Sequence, residues 1–185
     1  MARLPYVDPA NAAPAVAEVL RSLPDLRLFA MLGHAETALV PWLSLGGALL
    51  SSLSLDPVLR ELAILQVAVS TGSDYERVQH ETIAAGVGAP PQAVAAVIDG
   101  QLDSAALSSW AGVLRVVDEL VATHTTSEAG MNLLRTELGV RGSVELLLVV
   151  GFYIAVALLA AAVELDPDRP AQMAAIDTTD HQEAS

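Results

Sequence analysis

Leu59-Arg60-Glu61-Leu62-Ala63-Ile64-Leu65, followed by Ser73-Asp74-Tyr75-Glu76 and then His80, is the stretch that decides how this 185-residue chain is read. It sets a glutamate, a short polar turn and a histidine at fixed offsets in an otherwise apolar sequence. Asp56-Pro57 just upstream is a strong helix start, since aspartate caps free amide groups and proline fits the first helical position, where its missing N–H costs nothing. The helix opened there carries Glu61 and is predicted to run to about Ser70, where Thr71-Gly72 breaks it. A second helix is predicted from Ser73 to Ala85, stopped by Gly86. On that second helix Ser73, Glu76 and His80 are spaced i, i+3, i+7 and share one face. Glu61 must then approach from the preceding helix, so a common site forms only if the two helices pack antiparallel.

Outward from this stretch the chain reads as helices punctuated by Pro and Gly, with almost no period-2 alternation. Helices are predicted over 11–22, 26–33, 36–52 (interrupted near Pro41), a short one after Pro90-Pro91 ending near Asp99-Gly100, then 108–124, 127–138 with Gly139 just beyond its end, and 143–164. The fold class is all-α. Residues 1–165 read as one domain, long enough to bury a core without staples. The segment 166–185 reads as a disordered acidic tail, rich in Asp, Pro, Thr and Gln.

Composition removes several functions. There is no cysteine, so disulfides, thiolate metal sites and thiol nucleophiles are excluded. A net charge of -13, with basic side chains that are all arginine and scattered singly, argues against nucleic acid as a partner. Mean hydropathy is +0.49, and 146–163 is an uncharged apolar run that just reaches membrane-spanning length. It is alanine-rich, closed by Glu145 and Glu164, and has no basic flank to set topology, so it reads as a buried helix rather than a membrane span. With no basic region leading into an apolar one at the start, the cytoplasm is the expected location.

The offsets from Glu61 through Ser73 and Glu76 to His80 resemble the carboxymuconolactone decarboxylase family. Its alkylhydroperoxidase-D-like members carry a glutamate, a Cys-x-x-Cys pair starting twelve residues on, and a histidine four residues after the second cysteine. Met31-Leu32-Gly33-His34, Trp42, Leu49-Leu50, 114–120 and 139–164 with Tyr153 extend the resemblance along the chain up to the tail. Ser73 and Glu76 stand where that pattern has its cysteines, which excludes the dithiol peroxidase chemistry. The resemblance implies an alkylhydroperoxidase-D-like helical fold assembled as homo-oligomers, commonly trimers or hexamers. It also implies a decarboxylase-like branch that works with a glutamate and a histidine and needs no cofactor.

The residues themselves support an acid–base unit. A carboxylate facing an imidazole in a low-dielectric crevice can orient the ring and raise its basicity, so His80 is the expected proton-transfer residue and Glu61 its orienter. The expected substrate is a small enolisable molecule, a cyclic carboxylate, lactone or ketone. Tyr75 or Arg77 is expected to stabilise the enolate, and His34, Trp42 and Tyr153 are candidates for lining the pocket. The structural alternatives are equally concrete. Ser73-x-x-Glu76 is a capping box, which would occupy both side chains. Glu61 could pair with an arginine such as Arg77, and His80 could be a core histidine satisfied by a carboxylate. A metal on His80, His34, Glu61 and Glu76 is disfavoured by spacing, and no metal is expected. The competing reading of the whole is a non-enzymatic ligand-binding or scaffold oligomer that has lost the thiols.

Overall fold

In the computed structural model, which describes residues 1–168, the helix α4 (Pro57–Thr71) runs through the middle of the molecule and packs against α5 (Asp74–Gly86), α6 (Pro91–Ile98), α7 (Ala111–Thr123) and α8 (Glu128–Val163). Every residue from Leu59 to Ala68 is buried. A helix enclosed on all sides has no polar face, and that is why this stretch reads as a nearly unbroken apolar run rather than an amphipathic one. Asp56 Oδ1 accepts the Leu59 N–H at 2.9 Å and Pro57 occupies the first turn, as the sequence predicts.

Before this core lie α1 (Pro14–Ser22), α2 (Arg27–Leu32) and α3 (Glu36–Ser51), with a smaller apolar cluster of Val16, Leu20, Leu32 and Leu39 between them. Two details differ from the sequence reading. Pro14 opens α1 instead of lying inside it, and α3 passes through Pro41 without ending. A 3-10 turn at Ala105–Leu107 precedes α7. Among the described residues there is no strand.

The break expected at Gly139 is present as a kink. Gly139 has φ 68° and ψ -179°, and helix resumes directly after it, so α8 is two helical segments set at an angle. Past the kink, α8 buries Leu146, Val149, Val150, Tyr153, Val156 and Ala160. By length and composition it could cross a membrane, and 44% of its most apolar stretch is buried inside this chain. Its outer face leaves Val140, Val144, Leu148 and Leu158 exposed.

Glu145 ties α8 to the entry of α4. Its Oε2 accepts the Ser54 N–H (2.8 Å), the Ser54 hydroxyl (2.7 Å) and the Leu55 N–H (3.1 Å), while Oε1 accepts from Arg141 at 2.8 Å. These bonds, that of Ser54 first, hold its carboxyl below its ordinary value against a weaker desolvation. The start of the tail is also tied down, contrary to the boundary read from composition. Asp166 accepts from Tyr6 and the Ala2 N–H, and Asp168 reaches back to α2 and α5. The rest of the segment read as a disordered tail, 169–185, lies outside the described residues.

Candidate functional site: a buried carboxylate between arginine and histidine

Two residues separate α4 from α5, and their geometry sets what faces what. Gly72 adopts the left-handed conformation (φ 69°, ψ 27°), which only glycine takes without steric cost. The Ser73 N–H then bonds back to the Ala68 carbonyl at 2.8 Å, closing the end of α4. With so short a link the helices run antiparallel. His80 Nδ1 meets Glu61 Oε2 at 2.7 Å, with Glu61 fully buried and His80 almost so.

The second oxygen of Glu61 is also taken. Arg60 Nε donates to Glu61 Oε1 at 2.8 Å, and Arg60 is itself buried. Burial alone would raise the Glu61 carboxyl; the pull of His80, and after it that of Arg60, outweighs burial and holds it below the ordinary carboxylate value. Glu61 is therefore an anion at neutral pH. Since a carboxylate can only accept, the proton on this bond belongs to Nδ1, which leaves Nε2 of a neutral ring with its lone pair.

The capping box expected at Ser73 and Glu76 does not form. Ser73 is the N-cap residue of α5, yet its side chain makes no capping bond, and Ser73 Oγ and both Glu76 oxygens are buried without a protein partner. The physical reason is the end of α4. The Ser73 N–H that Glu76 would reach back to is already spent on Ala68. Glu76 instead turns into the interior, only 2% exposed. Desolvation pushes its carboxyl up to about 7, opposed slightly by the neighbouring Ser73 hydroxyl, which does not complete a hydrogen bond to it.

Tyr153 of α8 closes the cluster. Its ring meets His80 edge-on, centroids 4.8 Å apart. Burial, then the charges of Glu61 and Glu76, push its phenol well above the ordinary value, with Arg60 opposing. One tyrosine hydroxyl thus senses all three charged groups.

The remaining sequence candidates lie elsewhere. Tyr75 donates to Asp168 at 2.6 Å and accepts the Leu28 N–H at 3.2 Å, so its phenol is committed and cannot serve an enolate. Arg77 is partly exposed and pairs with Asp74 and Glu81 on its own helix, away from Glu61. His34 is exposed and donates to the Pro5 carbonyl. It lines an open cleft of about 300 Å³ with Val7, Asp8, Asn11 and Glu36, none of them a member of the Glu61–His80 cluster. Trp42 stacks on Phe152 at 4.7 Å, and Phe152 in turn meets Tyr153, so Trp42 backs the site through one intervening ring. Among the described residues no group of three His, Asp or Glu is placed to hold a metal. Arg60 is the residue the sequence reading missed. Its signal was present, an arginine next to Glu61 in a helix too apolar to have a solvent face.

Residues 38–119, from α3 into α7, match the Carboxymuconolactone decarboxylase family. That segment is similar to the domain the family shares. It contains Arg60, Glu61, Ser73, Glu76 and His80, while Tyr153 comes from beyond it. The chain is also similar to the crystal structure of an alkylhydroperoxidase AhpD core, an uncharacterized peroxidase-related protein from Ralstonia eutropha JMP134. The TM-score is 0.80 at 16% identity, covering 93% of this chain and 94% of that one. At that identity the likeness is one of fold, and it establishes the all-α alkylhydroperoxidase-D-like architecture. No curated protein matches.

Two outcomes follow for stability. Because Glu76 titrates at about 7 in the folded chain against 4.5 ordinarily, its contribution is fully present below pH 4.5 and is lost as pH rises through about 7. Urea unfolding across that window should show the decline in the wild type and its loss in Glu76→Gln, with a difference of at most about 3 kcal/mol. Glu61 works in the opposite sense, stabilising above its ordinary value and losing that contribution as pH falls. Glu61→Gln strands the buried Arg60 without its counter-charge and should cost about 3–5 kcal/mol by the same measurement.

Proposed function

We propose that this protein is a cofactor-independent acid–base enzyme of lyase, decarboxylase or isomerase type. Its substrate is a small enolisable molecule, a cyclic carboxylate, lactone or ketone. His80 transfers the proton and Glu61 orients it. The observation that carries this reading is the 2.7 Å contact between His80 Nδ1 and a buried, ionised Glu61. It fixes the tautomer in which Nε2 is the base, and it stabilises the imidazolium that forms when Nε2 takes a proton. With no cysteine in the chain, nothing can run a dithiol cycle. Arg60 keeps Glu61 from being protonated in place of the ring.

The competing reading is a scaffold or ligand-binding protein that has lost the thiols. The burial of Arg60, Glu61 and His80, bonded to one another, favours it, because a satisfied polar cluster also specifies helix packing. Substitution at His80 separates the two. His80→Gln should slow proton exchange on a reactive lactone or ketone by about 100-fold or more while the chain stays folded. A variant that loses stability and no activity establishes the scaffold reading. An alkyl hydroperoxide assay with a thiol reductant should give only the buffer rate, and turnover there would sink the whole assignment.

We place the protein in the cytoplasm as a homo-oligomer, a trimer or hexamer, with neither nucleic acid nor membrane as partner. Val140, Val144, Leu148 and Leu158 share one face of α8 and support this, since a monomer would leave that stripe in water. Size-exclusion chromatography with light scattering, in buffer without detergent, should give a multiple of the chain mass. A monomer at micromolar concentration, or protein recovered only with membranes, contradicts it.

A further inference from the structure

The acid–base reading gives His80 a proton to take and leaves the other half of the reaction without a donor. An enolate formed in a dry site is costly unless its oxygen is protonated or held by a hydrogen bond as the C–H proton departs. The groups expected to do this from sequence, Tyr75 and Arg77, are committed to Asp168 and to Asp74 and Glu81. Glu76 is not committed. Both of its oxygens are buried without a protein partner, it is 98% buried by its 2% exposure, and it stands one helical turn before His80 on the same face of α5.

We propose that Glu76 is the proton donor of this site, protonating the carbonyl oxygen of an enolisable ketone or lactone while His80 Nε2 takes the proton from the adjacent carbon. The inference rests on the acid–base reading of the same cluster. In the forward step the substrate C–H bond breaks and its pair forms the C=C bond. The carbonyl π pair takes the Glu76 proton, and the products are enol, imidazolium and carboxylate. Return of the two protons restores both side chains. If His80 returns its proton to a different carbon of a conjugated enol, the double bond has moved, with no oxidant or reductant involved.

The surroundings suit a carboxylic acid that gives up its proton and regains it. Around Glu76, α4 presents Arg60 and Glu61, α8 presents Tyr153, and α5 itself presents Ser73 and His80, while α6 carries no titratable side chain. Arg60 is paired to Glu61, so Glu76 has no ion pair of its own to hold it as an anion. The first turn of α5 favours negative charge modestly, which lowers the cost of the carboxylate formed during the step. Burial outweighs that at rest and sets the carboxyl near 7. A donor so poised is matched to a base of imidazole strength.

Infrared spectra of the full-length protein decide whether the proton is there. A protonated-carboxyl band at about pH 6, gone at about pH 9, is expected in the wild type and absent in Glu76→Gln, as the burial of this group requires. Deuterium incorporation next to the carbonyl of a panel of cyclic ketones and lactones, followed by NMR, reads its use. Glu76→Gln, which keeps the side chain's shape, should lower kcat about 100-fold at a melting temperature no lower than that of the wild type. It should also abolish the fall in rate that the wild type shows as Glu76 ionises, and Glu76→Asp should recover part of the rate. A missing band, or wild-type exchange in Glu76→Gln while His80→Gln is inactive, overturns the donor role and leaves the acid–base reading standing. Exchange that is absent in the wild type, or indifferent to His80→Gln, sinks the acid–base reading and the donor role with it.

Discussion

The centre of this molecule depends on one buried carboxylate shared by an arginine and a histidine. Glu61 gives one oxygen to Arg60 and the other to His80, 2.8 and 2.7 Å away, on a helix whose residues from Leu59 to Ala68 are all buried. An isolated ion there would carry a desolvation cost of several kcal/mol, on the order expected for any unpaired interior charge. Two partners, each on a different oxygen, offset that cost and fix the geometry. The arginine comes from the same helix and the histidine from the next, so the pair also sets the register of α4 against α5. Packing and chemistry are therefore coupled: a change at Glu61 acts on both.

The same coupling explains why the helix junction matters. Gly72 in the left-handed region lets the chain reverse in two residues, and the Ser73 amide is consumed in closing α4. A longer link would free that amide, permit the capping box and draw Glu76 toward the surface. The tight junction instead drives Glu76 inward, where it finds no partner. A local motif has lost to a tertiary one, because the bond to Ala68 and the burial of the α5 face are formed together.

Much of this was legible in the sequence and some was not, for identifiable reasons. The central pair of helices, Asp56 as cap, Gly139 as a break and the meeting of Glu61 with His80 all follow from local signals and periodicity. Tyr75 was misplaced because its phenol answers to Asp168, a residue 93 positions away, and no local pattern encodes such a contact. The boundary at Asp166 failed for the same reason, since acidic composition reads as solvated until a tyrosine and an amide are found waiting for it. Arg60 was passed over because a charge beside Glu61 was sought one turn away on a neighbouring helix rather than on the adjacent residue.

The presence of a carboxyl rather than a thiol at position 76 has a physical logic once the burial is known. The environment that pushes Glu76 up to about 7 is apolar and short of partners, and the same environment would raise a thiol well above its free value, making it a poor nucleophile. A carboxyl starts from a lower intrinsic value, so equal desolvation brings it to neutrality instead of beyond it. A glutamate at this position can hold a proton near neutral pH, whereas a cysteine buried without a cationic neighbour would hold its proton well beyond it. With no cysteine in the chain, thiol chemistry is not open to it. What the position holds instead is a buried carboxyl, one turn along the same helix from a histidine whose ring is oriented by Glu61.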